Sequence, residues 1–299
     1  MLPFFEFSDE VADAIQHKKP ILALESTLMT HGFPYPHNIE IAERSEQIVR
    51  DHDVVPAAIA IVNGKVKFGL SREDKETLTH DKHVFKASRR DIAFAIAEKL
   101  NAGTTVAATL YCAHQAGIKV FATGGIGGVH RGDHLDISAD LIELARIPLA
   151  VICAGAKSIL DLPKTLEFLE TFSVPLIGYQ THTLPAFYTA DSSHHLPLSV
   201  KTVTALANIV KTHWQLQEKS SILITNPIPA EHQIPHNVIE PVIENALKQA
   251  KLNDIKGKKI TPYLLSEVAK ATEHKSLFAN KMLIENNVAL GAKLARAII

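Results

Sequence analysis

The sequence predicts an α/β fold: a mostly parallel sheet with helices on both faces, in a single domain over residues 1–299. Three observations carry this expectation. Short apolar, β-rich runs alternate along the chain with amphipathic helical patterns. The runs are apolar at almost every position rather than at every second one, which marks strands covered on both sides. No repeat, low-complexity tract or Ser/Gly linker divides the 299 residues.

The predicted strands are residues 20–24, 55–62, 118–122, 149–153, 174–178 and 221–224, each a buried apolar run. Helices are predicted between them from their starts. Ser88 precedes RRDIAFAIAEKL, Ser138 precedes ADLIELA, and Ser199 precedes VKTVTALANIVKTHWQL, so each is expected to be an N-cap. Gly117 follows TTVAATLYCAHQA as the glycine that stops a helix before the next strand. TNPIPAEHQIP, residues 225–235, is a proline-rich loop. From Ile260 on, ITPYLLSEVAKAT and KSLFANKMLIENNVALGAKLARAII predict two consecutive helices, the second amphipathic for most of its length.

Composition excludes several classes of function. Hydrophobic residues make up 46% and charged residues 21%, the balance of a folded chain. Lys and Arg number 31 against 32 Asp and Glu, so no basic excess points to a nucleic-acid backbone as partner. The two cysteines, Cys112 and Cys153, lie in apolar stretches and are expected to be buried thiols, too few for a disulfide framework or a thiolate zinc site. The first 19 residues lack the basic and apolar regions of a secretion signal, and Ala-Ile-Ile at the end matches no targeting motif. The apolar run 147–156 falls short of the roughly 20 residues that span a bilayer. The expected protein is cytoplasmic, with neither a membrane nor a nucleic acid as partner.

In open parallel sheets, ligands gather outside the carboxyl ends of the strands. Several unusual residues sit just after predicted strands. Glu25 in LALESTLMTHGFPYP is either a turn cap or a pocket acid. Lys157 in LAVICAGAKSILDLP follows small residues that permit close approach, and is read as opening the next helix. The positive end of that helix and desolvation would together favour the neutral amine that Schiff-base chemistry needs; alternatively it is a snorkelling surface lysine. Lys86 in VFKASRRDI, with Arg89 and Arg90, is an anion clamp or a solvated helix start.

The loop TGGIGGVHRG, residues 123–132, has four glycines within five residues but neither the Walker pattern nor the dinucleotide fingerprint. It suits an anion or sugar cradle better than a cofactor fold. His130, Asp133, His134, Asp136 and Asp140 follow closely. Carboxylates without cysteines favour a hard ion such as Mg²⁺ or Mn²⁺, although Asp near a helix start is also a common cap. Asn280, polar among apolar neighbours, suggests a buried hydrogen-bonding partner.

Taken together, ALESTLMTHGFPYPHN, FKASRRD, AGTTVAATL, FATGGIGGVHRG, DISADL, CAGAKSILDLP, TLPAFY, NPIP and ITPYLL…SLFANK…LIENNVALGA resemble the pseudouridine-5′-phosphate glycosidase family, also called the indigoidine synthase A-like family. The match runs in order from about Leu22 to the C-terminus. It implies a three-layer α/β/α fold, a homotrimer, and Mn²⁺-assisted, reversible cleavage of pseudouridine 5′-phosphate to uracil and ribose 5-phosphate, with Mg²⁺ or Fe²⁺ as alternative ions. By resemblance Glu25 is the proton donor and Lys157 the nucleophile. Lys86 and Val106 contact substrate, Ser138, Ala139 and Asp140 form a substrate-binding strip, and Asp136 is the metal ligand. Asn280 is a further active-site residue, and His130 lies in the signature loop.

The sequence departs from the family pattern in a shorter interval between His130 and Asp136, at His182 where an acidic residue is expected, and in ATEHKS before the last helix. Two other readings compete: a lysine-dependent aldolase or lyase acting on another phosphorylated sugar, and a non-catalytic sensor of nucleotides or sugar phosphates.

Overall fold

A computed structural model of the chain describes residues 2–81, 83–132, 136–255 and 260–299; Asp133 and His134 lie outside the described residues. In chain order the first half runs β1 (Phe5–Phe7), α1 (Asp9–Gln16), β2 (Ile21–Glu25), α2 (His37–Arg50), β3 (Val55–Val62), β4 (Lys65–Phe68), α3 (Arg72–His80), β5 (Phe85–Ala87), α4 (Ile92–Ala97), β6 (Ala102–Thr104), α5 (Val106–Gln115), β7 (Val120–Ala122), β8 (Val129–His130) and α6 (Ala139–Leu144). The second half runs β9 (Ala150–Cys153), β10 (Leu160–Asp161), α7 (Leu162–Thr171), β11 (Leu176–Tyr179), β12 (Ser199–Val200), α8 (Val203–Gln215), β13 (Ile222–Thr225), α9 (His236–Leu252), α10 (Ile260–Ala271) and α11 (Lys275–Ala297).

Among the described residues the main sheet has eleven strands, with β1-β4-β3-β2-β7-β9-β13-β11-β12 in order and β6 and β5 branching from β3. All pairings in it are parallel except those of β3 with β4 and β6. The architecture is the expected three-layer α/β/α, with one continuous core. The six predicted strands are β2, β3, β7, β9, β11 and β13, which include the middle of the sheet. Their interior residues, such as Ala57, Ile59, Val151 and Leu223, are buried on both faces, which is why their sequences do not alternate. The strands missing from the sequence reading are two to four residues long, too short to show a period.

The caps follow the sequence with one correction. Ser88 heads a short 3₁₀ turn, Arg89–Asp91, in a capping box with Asp91. Ser138 caps α6, and Gly117, at φ +76°, follows α5. Ser199, however, is not an N-cap: it lies in β12, paired with Gly178 of β11, and the cap of α8 is Thr202, whose hydroxyl accepts from the Ala205 amide. The extended backbone that the sheet edge demands delays the helix by three residues.

The last two helices form as predicted, but α11 is less amphipathic than its sequence suggests. No residue from Lys281 to Ala292 is exposed, because α11 packs against β2, β7 and β9 while α2 and α8 cover its sides. At Gly291 a Cβ would stand 3.0 Å from Leu22 and 3.1 Å from Ala122, so the helix lies directly on the strands.

Beside α11, α2 and α3 are joined by an ion pair between Glu46 and Lys75, 2.7 Å apart and both 8% exposed. Glu46→Ala leaves the Lys75 ammonium buried without its partner and is expected to lower the unfolding free energy by about 3–5 kcal/mol. Urea denaturation checks this; a change near zero would mean that Lys75 reaches water or another anion.

Candidate active site

The carboxyl ends of β2, β7 and β9 open onto a cavity of about 560 Å³, within the range of small-molecule sites. Glu25, Lys86, Val106, His130, Asp136, Ser138, Ala139, Asp140, Lys157 and Asn280 all line it. The structure thus gathers these ten candidate residues from seven separate stretches of sequence. It adds Thr27, His31, Thr105, Phe187 and, from α10, Thr261, Pro262 and Leu265.

Glu25 is the last residue of β2 and is 8% exposed. Its two carboxyl oxygens accept hydrogen bonds from the hydroxyls of Thr27 and Thr123. The strand below is fixed in register by Glu25 opposite Ile59, and the Ser26 hydroxyl donates to the Ile59 carbonyl over 2.7 Å. The acid is therefore held on both oxygens yet still borders the cavity, an arrangement suited to moving a proton at one defined place.

Lys157 does not open a helix. It lies in the turns between β9 and β10, and the next helix, α7, begins at Leu162 with Asp161 as its cap. Lys157 therefore does not sit at the positive end of α7. Its ammonium instead donates to the Gly125 carbonyl over 2.7 Å, and its backbone N–H donates to Ile126 O over 3.0 Å. Gly155, just before it, has φ +85°, and a Cβ there would fall 2.1 Å from Pro185 O, so the turn depends on glycine.

Asp140 is a bracket. One carboxylate oxygen accepts from the Ala107 amide (2.9 Å) at the start of α5, and the other accepts from the Gly127 amide (2.8 Å) in the glycine loop. Gly127 has to be glycine, since a Cβ would lie 2.2 Å from Ser138 Oγ. Val106, Ser138 and Ala139 are thereby brought to one wall. Arg89 is paired with Glu143 and lies over the Tyr111 ring, 4.3 Å from its centroid, so this arginine is tied down at the cavity edge.

The glycine loop is held from the other side by α11. Asn287, fully buried, donates to Thr123 O (2.9 Å) and Gly124 O (3.2 Å) and accepts from Asn226 (3.2 Å), while Asn286 donates to Pro227 O (2.8 Å). These two asparagines were missed in the sequence; their signal was a polar pair within an otherwise apolar helix. Asn280, seven residues earlier, differs: its Oδ1 is buried with no hydrogen-bond partner among the described residues, and it borders the cavity. A buried unpaired acceptor in a ligand-sized cavity asks for a donor from the ligand.

Both cavity histidines are pushed toward the neutral form. Burial and the Lys86 charge lower His31 to about 4, against an opposing backbone hydrogen bond at Val84. Burial lowers His130, and Lys157 and Lys86 act in the same direction, while Asp136 opposes them. Both lysine charges are thus felt at His130.

Of the cavity carboxylates, Asp140, Glu143 and Glu25 are engaged as described, whereas Asp136 makes no side-chain hydrogen bond or ion pair among the described residues. Among those residues no group of three or more metal-ligating side chains is close enough to cage an ion. A divalent ion that keeps most of its water and takes one carboxylate fits this donor set; a closed zinc site does not. No described helix is long and apolar enough to cross a membrane.

Comparison with known proteins bears on the family and the fold. The model of the family described as Indigoidine synthase A like protein matches residues 10–297. The chain is 51% identical to a pseudouridine-5′-phosphate glycosidase of Caldanaerobacter subterraneus subsp. tengcongensis, covering 98% of this chain and 96% of that one. It is 52% identical to one of Staphylococcus aureus, covering 99% and 97%. Among solved structures it is similar to the prealnumycin C-glycosynthase AlnA in complex with ribulose 5-phosphate, with a TM-score of 0.92, 35% identity and coverage of 100% and 98%. An indigoidine synthase A-like protein of Thermotoga maritima gives a TM-score of 0.89 at 32% identity, covering 98% and 95%.

Two outcomes follow from the geometry. Asp140→Asn turns an amide NH₂ toward one of the two backbone N–H groups, and is expected to cost about 1–3 kcal/mol of stability together with substrate affinity; thermal denaturation and a binding isotherm check both. His31 takes up its proton near pH 4 when folded and near its ordinary 6.5 when unfolded, so the unfolded chain binds more protons in between. The stability this residue contributes is present above about pH 6.5 and lost as pH falls toward 4. His31→Gln should flatten the pH dependence of unfolding in that window; an unchanged slope would place the titration elsewhere.

Proposed function

The chain belongs to the indigoidine synthase A-like family, and on that premise we propose that it is a pseudouridine-5′-phosphate glycosidase, cleaving the bond between ribose C1′ and uracil C5 to give uracil and ribose 5-phosphate. The observation that carries the reading is the convergence of Glu25, Lys86, Lys157 and Asn280 on one cavity. Full-length relatives at about half identity bear that enzyme name. A neighbour named as a C-glycosynthase supports reversibility.

The chemistry accounts for the residue types. A C-glycosidic bond leaves no lone pair on the departing atom, so a pair of carboxylates acting as in an ordinary glycosidase is insufficient. In the proposed route Glu25 delivers a proton to O4′, the C1′–O4′ bond breaks, and the neutral Lys157 amine forms a bond to C1′, giving up a proton. Glu25, now a carboxylate, takes up that proton and delivers it to uracil C5. The nitrogen lone pair forms the C1′=N double bond as the C1′–C5 pair of electrons returns to the uracil ring, and uracil leaves. Water adds to the iminium and releases ribose 5-phosphate and free Lys157. Glu25, held on both oxygens by threonine hydroxyls, keeps its position through these transfers. Lys86 attracts the anionic substrate, the unpaired Oδ1 of Asn280 accepts from a uracil N–H, and the wall formed by Val106 and Ser138–Asp140 orients the ribosyl phosphate.

Asp136 would hold the divalent ion, Mn²⁺ with Mg²⁺ or Fe²⁺ as alternatives. When bound, the ion supplies positive charge for substrate oxygens and orders its own water shell. A homotrimer in the cytoplasm completes the proposal.

The test is uracil and ribose 5-phosphate release from pseudouridine 5′-phosphate, with Mn²⁺ or with EDTA. Lys157→Ala and Glu25→Gln are each expected to lose at least about 10³-fold in kcat. Wild-type rates in either variant would remove that residue's role. A wild-type protein that binds the substrate without releasing uracil would instead be a sensor, and one that cleaves another sugar phosphate would be a lysine-dependent lyase.

A further inference from the structure

We propose that Arg131 is a positioning residue for Lys157, acting through the turn that carries the lysine and held by Glu240 of α9. The inference rests on Lys157 being the nucleophile. Arg131 follows the glycines of the signature loop but is not part of the cavity wall; its side chain runs behind it. Its Nε donates to Leu160 O over 3.1 Å and its Nη2 to Ser158 O over 2.9 Å. The rest of the guanidinium meets the Glu240 carboxylate, Nη1 on Oε1 and Nη2 on Oε2, the latter at 3.2 Å.

Those two carbonyls belong to the residues one and three positions after Lys157. Ser158 and Leu160 are 7% and 2% exposed, so little water reaches them. Lys157 itself is fixed by its N–H on Ile126 O and by its carbonyl, which accepts from Leu160 N, both over 3.0 Å. Leu160 also pairs with His130, the residue before Arg131. The amide before the lysine side chain is thus held by the glycine loop, and the carbonyls after it by Arg131. What remains free is the lysine side chain, which in this structure rests on Gly125 O.

Only a planar fork can serve two such carbonyls and a carboxylate at once; a lysine ammonium at residue 131 has three donors but no fork. Glu240 balances the guanidinium, so the clamp brings no net charge next to the nucleophile. A turn loosened at Ser158 and Leu160 would let Nζ drift from its approach to C1′, and a displacement of about 1 Å can cost on the order of 10²-fold in rate.

The test uses the full chain with pseudouridine 5′-phosphate as substrate. Arg131→Ala is expected to lower kcat by about 10²-fold while KM stays within about threefold. Methylguanidinium added to that variant should restore kcat by at least about tenfold, because it refills the fork that two carbonyls and a carboxylate define. Arg131→Lys should not rescue, and Glu240→Gln should lose less than Arg131→Ala.

If Arg131→Ala does not fold, Arg131→Lys and Glu240→Gln carry the comparison. Wild-type kcat in both of these overturns the clamp, as does a folded Arg131→Ala whose kcat loss no guanidinium compound restores. Lys157→Ala runs beside them and separates the two readings. Wild-type turnover in Lys157→Ala removes the nucleophile and with it this inference, whereas an inactive Lys157→Ala beside unimpaired Arg131 variants removes the clamp alone.

Discussion

The site depends on one carboxylate that does no chemistry. Asp140 accepts one hydrogen bond from the first turn of α5 and one from the glycine loop, and so joins two segments that the sheet delivers from different strands. The Ala107 donor is buried and the Gly127 donor half-buried, and an unpaired donor with so little access to water is costly. The bracket therefore satisfies two amides while setting the width of the cavity wall. Ser138 and Ala139 take their places because Asp140 follows them in the first turn of α6, and Gly127 is glycine because the bracket leaves no room for a Cβ.

The same physical problem recurs at each strand end. A parallel sheet brings irregular backbone together at its carboxyl edge, and that backbone needs partners where water is excluded. Asn287 supplies them for Thr123 and Gly124, Asn286 for Pro227, Thr165 for the Val129 amide, and Arg131 for Ser158 and Leu160. Threonine hydroxyls do the corresponding work for Glu25. The cavity is thus preorganised by polar side chains pointing at main chain. That leaves Lys157, Asp136 and Asn280 to turn toward a ligand. Asn280 makes the contrast plain: it shares α11 with Asn287, yet its Oδ1 has no partner among the described residues.

Several readings changed once the chain was folded. Lys157 looked like the opening of a helix because AGAKSILDLP carries small residues, a charge and then apolar spacing. In the fold, β10 must pair with β8 before α7 can start, so Leu160 and Asp161 are extended and the lysine is left in a turn. Ser199 lost its capping role to Thr202 for a similar reason, since β12 completes the sheet beside β11. In both cases a two-residue strand, set by a partner far away in sequence, overrode a local helix signal. The polar stripe expected along α11 narrowed because three strands and two helices close around it.

What the sequence determined by itself was the six central strands, the helices α5, α6, α10 and α11 and the set of candidate residues. Buried parallel strands are continuous apolar runs, and Glu25, Lys86, Lys157, Asp136 and the glycine loop lie in strings uncommon enough to be read directly. Tertiary structure alone decided which of those residues face a ligand and which serve the backbone. Asp136 and Asp140 are both aspartates beside a helix start, yet only Asp140 has its oxygens taken by amides from other segments. Nor does the sequence place Arg131 against Ser158, Leu160 and Glu240, or Asn287 beneath the glycine loop. Hydrogen bonding between residues distant in the chain has no local period or propensity, so it is legible only when strand order has brought the partners together.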